Sequence, residues 1–268
     1  DIYDAIGFQF GLNVFGEQLQ KAEELYGPVP DSFDNITSVK KEVKEEKVTT
    51  EKAFVKVDQS VFFEEANKSL NEHDDECMEY LASRGITIDT ANRFNLGHCL
   101  SEQYPSNQLV IPTSRYTYNI RAISDDTKQK YYRPKGMPVI LFNEDALNQK
   151  RYPVFVVEGE IDAISIEELG YPSVALGSAS NIGLISERTD LNELEYPLIV
   201  ALDNDDTGKK KSNDLCSRLE KKGMQYVTLG TLYGDYKDAN ECLIHEPDQF
   251  KKRLESAIML SLNMAQSL

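Results

Sequence analysis

The sequence predicts an α/β protein, a parallel four-stranded sheet with helices on both faces, preceded by a smaller mixed α+β subdomain rich in basic residues. Three observations carry that prediction. From Tyr152 onward, short apolar runs alternate with stretches at helical spacing, the pattern of strands joined by crossover helices. Two of those runs, 154–157 and 198–202, end in carboxylates, Glu158 and Asp203. Between Arg115 and Arg151 the local charge turns positive, although the whole chain of 268 residues carries a net charge of −16.

Taken in order, residues 1–26 read as two helical pieces, with Ile2, Ala5 and Ile6 on one face and Phe15, Leu19 and Ala22 opening another. Pro28 and Pro30 end that pattern, and the mixed-charge run at 40–47 marks residues 28–58 as a solvated linker. Helical spacing returns from Val61 with Phe62, Ala66 and Leu70, and continues through Cys77, Tyr80 and Leu81. Gly85 is the expected stop and Asp89 the expected cap of the next helix. Residues 109–112 and 118–123 are the first short strands, turning at 114–117. The alternation then gives a strand at 154–157, a helix at 161–169, a strand at 173–176 and a tight loop at 177–181. A helix at 183–193, a strand at 198–202, a helix at 207–222 and a strand at 225–229 follow. Beyond Asp238, one or two helices carry Phe250, Leu254, Ile258 and Met259 as an apolar stripe. The expected division is a helical segment at 1–27, a linker at 28–58, a basic subdomain at 59–150, the parallel-sheet domain at 151–241 and a helical segment at 242–268.

Composition narrows the class. Hydrophobic residues at 40% and charged residues at 28% are ordinary for a globular protein. No apolar run approaches ~18 residues, so no membrane partner is expected. No leader of basic then apolar residues opens the chain, which starts Asp1-Ile2-Tyr3 without methionine; the expectation is a cytoplasmic protein read here as a fragment. Cys77, Cys99, Cys216 and Cys242 lie far apart, which argues against structural zinc or a disulfide framework, and His73, His98 and His245 have no ligand spacing. The acidic total speaks against nucleic-acid affinity from bulk charge but leaves room for a local basic track.

Three acidic motifs concentrate the chemistry. Glu158-Gly159-Glu160-Ile161-Asp162 places one carboxylate at a strand end and a second about a helical turn later; Asp162 alone also suits the positive end of a helix dipole. In Asp203-Asn204-Asp205-Asp206, the alternation of an extended chain points Asp203 and Asp205 the same way and Asp206 elsewhere. Lys237-Asp238-Ala239-Asn240-Glu241 follows a loop bearing Gly230 and Gly234. Carboxylates gathered at strand ends repel one another and call for a divalent cation. Upstream, Lys130-Tyr131-Tyr132-Arg133-Pro134-Lys135-Gly136 interleaves cations with aromatics, which suits either a nucleic-acid track or a charged strand edge; Tyr131 suits either base stacking or the core.

The first two motifs resemble the TOPRIM domain shared by bacterial-type primases, type IA and type II topoisomerases and some nucleases. The third resembles the last acidic motif of phage-type primase–helicases, and Tyr80-Leu-x-x-Arg84-Gly85-Ile86 through Phe94-x-Leu96-Gly97 resembles the start of the primase RNA-polymerase domain. The resemblance spans 154–241 most densely and 76–150 more thinly, with residues 1–26 similar to the helical stretch that follows a primase zinc-binding domain. It implies a DNA primase core that makes short RNA primers from nucleoside triphosphates on single-stranded DNA during replication, in a phage or mobile element or a bacterium. It further implies a two-metal Mg²⁺ or Mn²⁺ site held by Glu158, Asp203 and Asp205 as catalytic residues, with Asp162 and Asp238 supporting, and Glu158 as ligand or as proton acceptor for the primer 3′-hydroxyl. Arg84, Arg121, Lys130, Arg133 and Lys135 would bind nucleotide and template. Many bacterial primases have aspartate where Asn240 stands, which leaves Asn240 its carbonyl oxygen as a donor. No Gly-Lys-Ser/Thr phosphate loop is present, so a replicative helicase would act from elsewhere in the polypeptide or as a separate partner. A TOPRIM nuclease and a non-catalytic nucleic-acid-binding adaptor are the alternatives.

Overall fold

The computed structural model describes residue 21 and residues 54–266, apart from 74, 100–107, 124–128, 149–151 and 189. The helices expected over 1–26 and nearly all of the linker at 28–58 lie outside the described residues, as do Asp125, Asp126, Lys128, Lys150 and Arg151. Apart from Lys21, the described residues belong to one compact unit, Glu51–Leu268.

Two four-stranded sheets organise that unit. The first is antiparallel, in the order β1 (Gly97–Cys99), β2 (Gln108–Ser114), β3 (Thr117–Ala122) and β4 (Tyr131–Tyr132). Helix α1 (Ser60–His73) packs on it so closely that a Cβ at Gly97 would lie 2.5 Å from the Ala66 Cβ. Helix α2 (Asp75–Ser83) ends where Gly85 takes φ +69°, the left-handed stop expected from the sequence. The next helix, α3 (Ile88–Arg93), is capped by Thr87, whose hydroxyl accepts the Thr90 N–H; Asp89 sits inside its first turn and is not the cap. After the short α4 (Asp145–Asn148), the second sheet begins.

The second sheet is parallel, in the order β6 (Ser173–Ala175), β5 (Phe155–Val157), β7 (Leu198–Val200) and β8 (Tyr226–Val227). Every residue of β5, β6 and β7 is buried, as parallel strands covered on both faces require. Helix α5 (Glu160–Glu168) follows β5, α7 (Asp206–Lys221) follows β7, and α8 (Ala239–His245) and α9 (Pro247–Gln266) close the chain. The single helix expected at 183–193 is instead α6 (Gly183–Ser186) flanked by two short 3₁₀ turns, Ala179–Asn181 and Asp190–Glu193. Arg188 interrupts it by turning to pair with Glu144 and Asp190. On α9, Phe250, Leu254 and Ile258 face inward as expected, but Met259 is 54% exposed, because Ala257 and Ser261 continue the buried stripe.

One apolar cluster joins Leu70, Leu81, Leu96 and Leu109 to Phe155, Ile164, Leu243 and Phe250, so the antiparallel and parallel regions share a core across residue 150. A second cluster lies on the other face of the parallel sheet, around Val156, Leu176, Leu202 and Leu215. Among the described residues no helix is long and apolar enough to cross a membrane. All four cysteines are free.

Candidate active site

The parallel order β6-β5-β7-β8 runs outward in both directions from β5 and β7, so a crevice opens beyond the carboxyl ends of those two strands. Glu158 and Asp203 lie there, each just past its strand. Gly159 starts α5, and a side chain at that position would place its Cβ 2.9 Å from an oxygen of Asp162. The glycine is therefore what lets Glu158 and Asp162 face one opening. Gly208 is tighter still, since a Cβ there would lie 2.1 Å from the Asp203 carbonyl oxygen. The first turn of α7 thus folds back onto the segment that carries Asp203. Asp205 caps this helix through Oδ1, which accepts the Gly208 N–H at 2.8 Å, and leaves Oδ2 toward the crevice. Asp206, as expected, points away into solvent as the first helical residue.

Lys237 closes the cluster. Its Nζ lies 2.8 Å from Asp203 Oδ2 and 3.8 Å from Asp205 Oδ2, and its main chain accepts the Asn204 N–H at 2.6 Å. Asp238 caps α8 by accepting the Glu241 N–H at 2.9 Å. The electrostatics follow from this crowding. Burial, aided by the charge of Asp203, raises the Glu158 carboxyl above its ordinary range, although the Ala179 N–H opposes the shift. Burial raises Asp203 as well, against the pull of Lys237, and raises Asp162 well above its usual value with the charges of Asp238 and Asp203 adding. Asp205 moves the other way, held low by the Gly208 N–H. The donor set is all hard oxygen, the chemistry that suits Mg²⁺ or Mn²⁺. Among the described residues, however, no three acidic, histidine or cysteine side chains already stand close enough together to hold a metal ion.

The opposite wall comes from the antiparallel region. A cleft of about 380 Å³ is lined by Glu158, Asp162, Asp203, Lys237 and Asp238 on one side and by Tyr80, Arg84, Arg121 and Tyr131 on the other. A neighbouring hollow of about 520 Å³ shares Tyr80, Arg84 and Arg121 and adds Lys130, Glu76 and Glu79. Arg121 is almost buried, donates from Nε to the Tyr80 hydroxyl at 3.2 Å and stacks 4.4 Å from the Tyr131 ring centre. Its pairing partner across β3 and β4 is Tyr131 itself, so the wall is built by strand register, with β4 as the edge strand of the sheet. Arg84 reaches Asn240 Oδ1 from Nη1 at 3.1 Å, while Asn240 Nδ2 donates to the Arg84 carbonyl at 2.8 Å and to Ser165 Oγ at 2.9 Å. The side-chain oxygen of Asn240, which lines the same cleft, is thus engaged by an arginine.

The remaining basic residues are placed differently from one another. Arg133 donates to Asn119 Oδ1 at 3.0 Å, and Asn119 donates in turn to Glu160 Oε1 at 2.6 Å, which ties the antiparallel sheet to the start of α5. Lys135 is exposed and lines a separate hollow with Phe54, Val55 and Met137, so the structure does not bring it to the cleft. Sequence reasoning gave no role to Lys237, Glu160, Asn119 or Tyr80. Lys237 and Glu160 stood inside the motifs and could have been found there; Asn119 carried no local signal.

A family model for Toprim-like domains matches residues 155–243, the stretch that holds every acidic residue of this cluster. Residues 155–243 are thus similar to Toprim-like domains. The fold as a whole is similar to that of primase catalytic cores. The chain is similar to the zinc-binding and RNA-polymerase domains of Aquifex aeolicus primase (TM-score 0.60, 20% identity, 97% of this chain and 70% of that one). It is also similar to a DNA primase domain from Pseudomonas aeruginosa (TM-score 0.56, 20% identity, 74% and 77%). In sequence it is 26% identical over 176 residues to a DNA primase of Mycoplasma genitalium, a match covering 60% of this chain and 27% of that protein's length. The matched region thus spans about a quarter of the curated relative.

Proposed function

We propose that this chain is the catalytic core of a DNA primase, joining nucleoside triphosphates into a short RNA primer on a single-stranded DNA template. One observation carries the reading: the carboxylates past β5 and β7 face a wall of Arg84 and Arg121 across a single cleft. An acidic site alone suits many reactions on phosphates. A fixed guanidinium wall opposite it suits a polyanionic substrate lying between the two.

In this reading Asp203 and Asp205 hold one or two divalent cations, Mg²⁺ or Mn²⁺, with Glu158, while Asp162 and Asp238 support the cluster. A cation held there supplies positive charge to the attacking and leaving oxygens of phosphoryl transfer. Glu158, with its proton affinity raised by burial and by Asp203, would serve as a ligand or take the proton of the primer 3′-hydroxyl. Arg84 and Arg121 grip the triphosphate, and Lys130, in the adjoining hollow, meets template or nucleotide phosphates. Arg133 acts at one remove by steadying Asn119 and Glu160. The activity belongs to the cytoplasm, with a replicative helicase joined to the chain or recruited by it.

The test is incubation with labelled nucleotides, single-stranded DNA and Mn²⁺. The wild type should yield products longer than a dinucleotide. The Asp203→Ala/Asp205→Ala variant should lose at least ~100-fold in rate with its circular dichroism unchanged. Shortened DNA without nucleotide incorporation would instead identify a nuclease on the same fold, and full activity in the double variant would reject the site.

A further inference from the structure

We propose that Lys237 is the resident counter-ion of the carboxylate cluster and that a divalent cation binds by displacing its ammonium from Asp203. The inference rests on the metal-dependent reading above. One positive charge sits 2.8 Å from Asp203 Oδ2 and 3.8 Å from Asp205 Oδ2, the two side chains given the largest share of the cation. A hard divalent ion bonds a carboxylate oxygen at about 2.0–2.1 Å, so on Asp203 Oδ2 it would share that oxygen with the ammonium and repel it. The two cations therefore compete.

The surrounding structure fits a side chain that moves while its backbone stays. Lys237 accepts the Asn204 N–H through its carbonyl and donates its own N–H to Glu241 Oε2 at 2.9 Å, which fixes its main chain to the Asp203–Asp205 segment and to α8. Asn204 adds side-chain bonds to the carbonyls of Tyr236 at 3.0 Å and Gly234 at 3.2 Å. The lysine side chain itself is half exposed, whereas Asp203 is about nine-tenths covered. Solvent thus offers the ammonium a way out that the carboxylate lacks. A flexible four-carbon stem on a pinned backbone keeps the charge local, so the freed ammonium remains within the cleft it lines, where nucleotide phosphates would lie.

The experiment titrates Mn²⁺ into metal-free wild type, Lys237→Met and Lys237→Arg by calorimetry, and follows thermal unfolding with and without Mn²⁺. Lys237→Met should bind Mn²⁺ at least fivefold more tightly than wild type and melt earlier without metal, the melting difference shrinking at saturating Mn²⁺. Lys237→Arg, which keeps the charge, should stay near wild type. Equal or weaker Mn²⁺ binding by a folded Lys237→Met overturns the counter-ion role while leaving the metal site standing. No Mn²⁺ binding by any of the three proteins overturns both. If Lys237→Met does not fold, wild type labelled at the lysine ε-carbon decides by nuclear magnetic resonance. A Lys237 signal that moves as Mg²⁺ saturates supports displacement, and one that stays fixed overturns it.

Discussion

The parallel sheet and the antiparallel sheet contribute opposite walls of one cleft, yet they are built by different rules. In the parallel sheet, the cleft carboxylates sit within a few residues of strand ends, because every strand points its carboxyl end to the same side. Glu158, Asp203 and Asp205 are therefore placed by local chain geometry. In the antiparallel sheet, Arg121 lies near the end of β3 and is held at the cleft by its cross-strand partner Tyr131 and by Tyr80 from α2. The first wall is gathered at strand ends and the second is assembled by cross-strand and helix-to-strand contacts. Short acidic motifs mark the one; a single motif around Arg84 and a charge reversal mark the other.

The largest expected effect tests the local rule. Gly208→Ala forces a Cβ against the Asp203 main chain, where neither backbone can give way, and should cost about 3 kcal/mol of stability in urea unfolding. If the variant unfolds at the wild-type midpoint, the close approach of α7 to Asp203 is wrong. Next, Asn240→Ala strips partners from Arg84, its carbonyl and the Ser165 hydroxyl at the junction of the two regions. We expect a loss of roughly 2 kcal/mol, since the half-buried Arg84 side chain and carbonyl each lose this partner and the buried Ser165 hydroxyl keeps only the Ile161 carbonyl. A loss below roughly 0.5 kcal/mol would mean that Asn240 does not tie the walls together.

A third test separates cleft cations from surface ones. Arg121→Ala should raise the KM for nucleotide about tenfold, the worth of one charge-assisted contact, while Lys135→Ala should leave it within about twofold. Equal effects would return Lys135 to the site and undo the distinction. The smallest effect concerns Glu167, which ties α5 to Arg93, Asn143 and the Ser173 N–H. Burial raises this carboxyl above its ordinary 4.5, so the folded state holds its proton more firmly than the unfolded state does. Stability from this group is thus present below pH 4.5 and declines as pH rises through the raised value. Glu167→Gln should flatten that decline in unfolding curves taken across the interval; an unchanged slope assigns it to another group.

The parts legible in sequence and the parts hidden there follow the same division. Strand positions at 154–157, 173–176 and 198–202 were readable because buried parallel strands are continuous apolar runs. The helix at 183–193 was misread because Arg188 pairs with Glu144, which is remote in the chain and invisible to periodicity. Met259 and Asp89 were each assigned two positions away from the residues that pack or cap. Helical spacing tolerates such a shift until a neighbour fixes the rotation.

By itself, the sequence determined the parallel α/β architecture, the carboxylates at its strand ends and the glycines beside them. All of these are signalled by apolar runs and motifs only a few residues long. Only the tertiary structure decided which cations face those carboxylates. Lys237 does so at the centre, Arg84 and Arg121 across the cleft, and Lys135 not at all. Charge balance acts through space, between groups as far apart in the chain as Asp203 and Lys237, and no local pattern encodes which of many basic side chains will be folded into place.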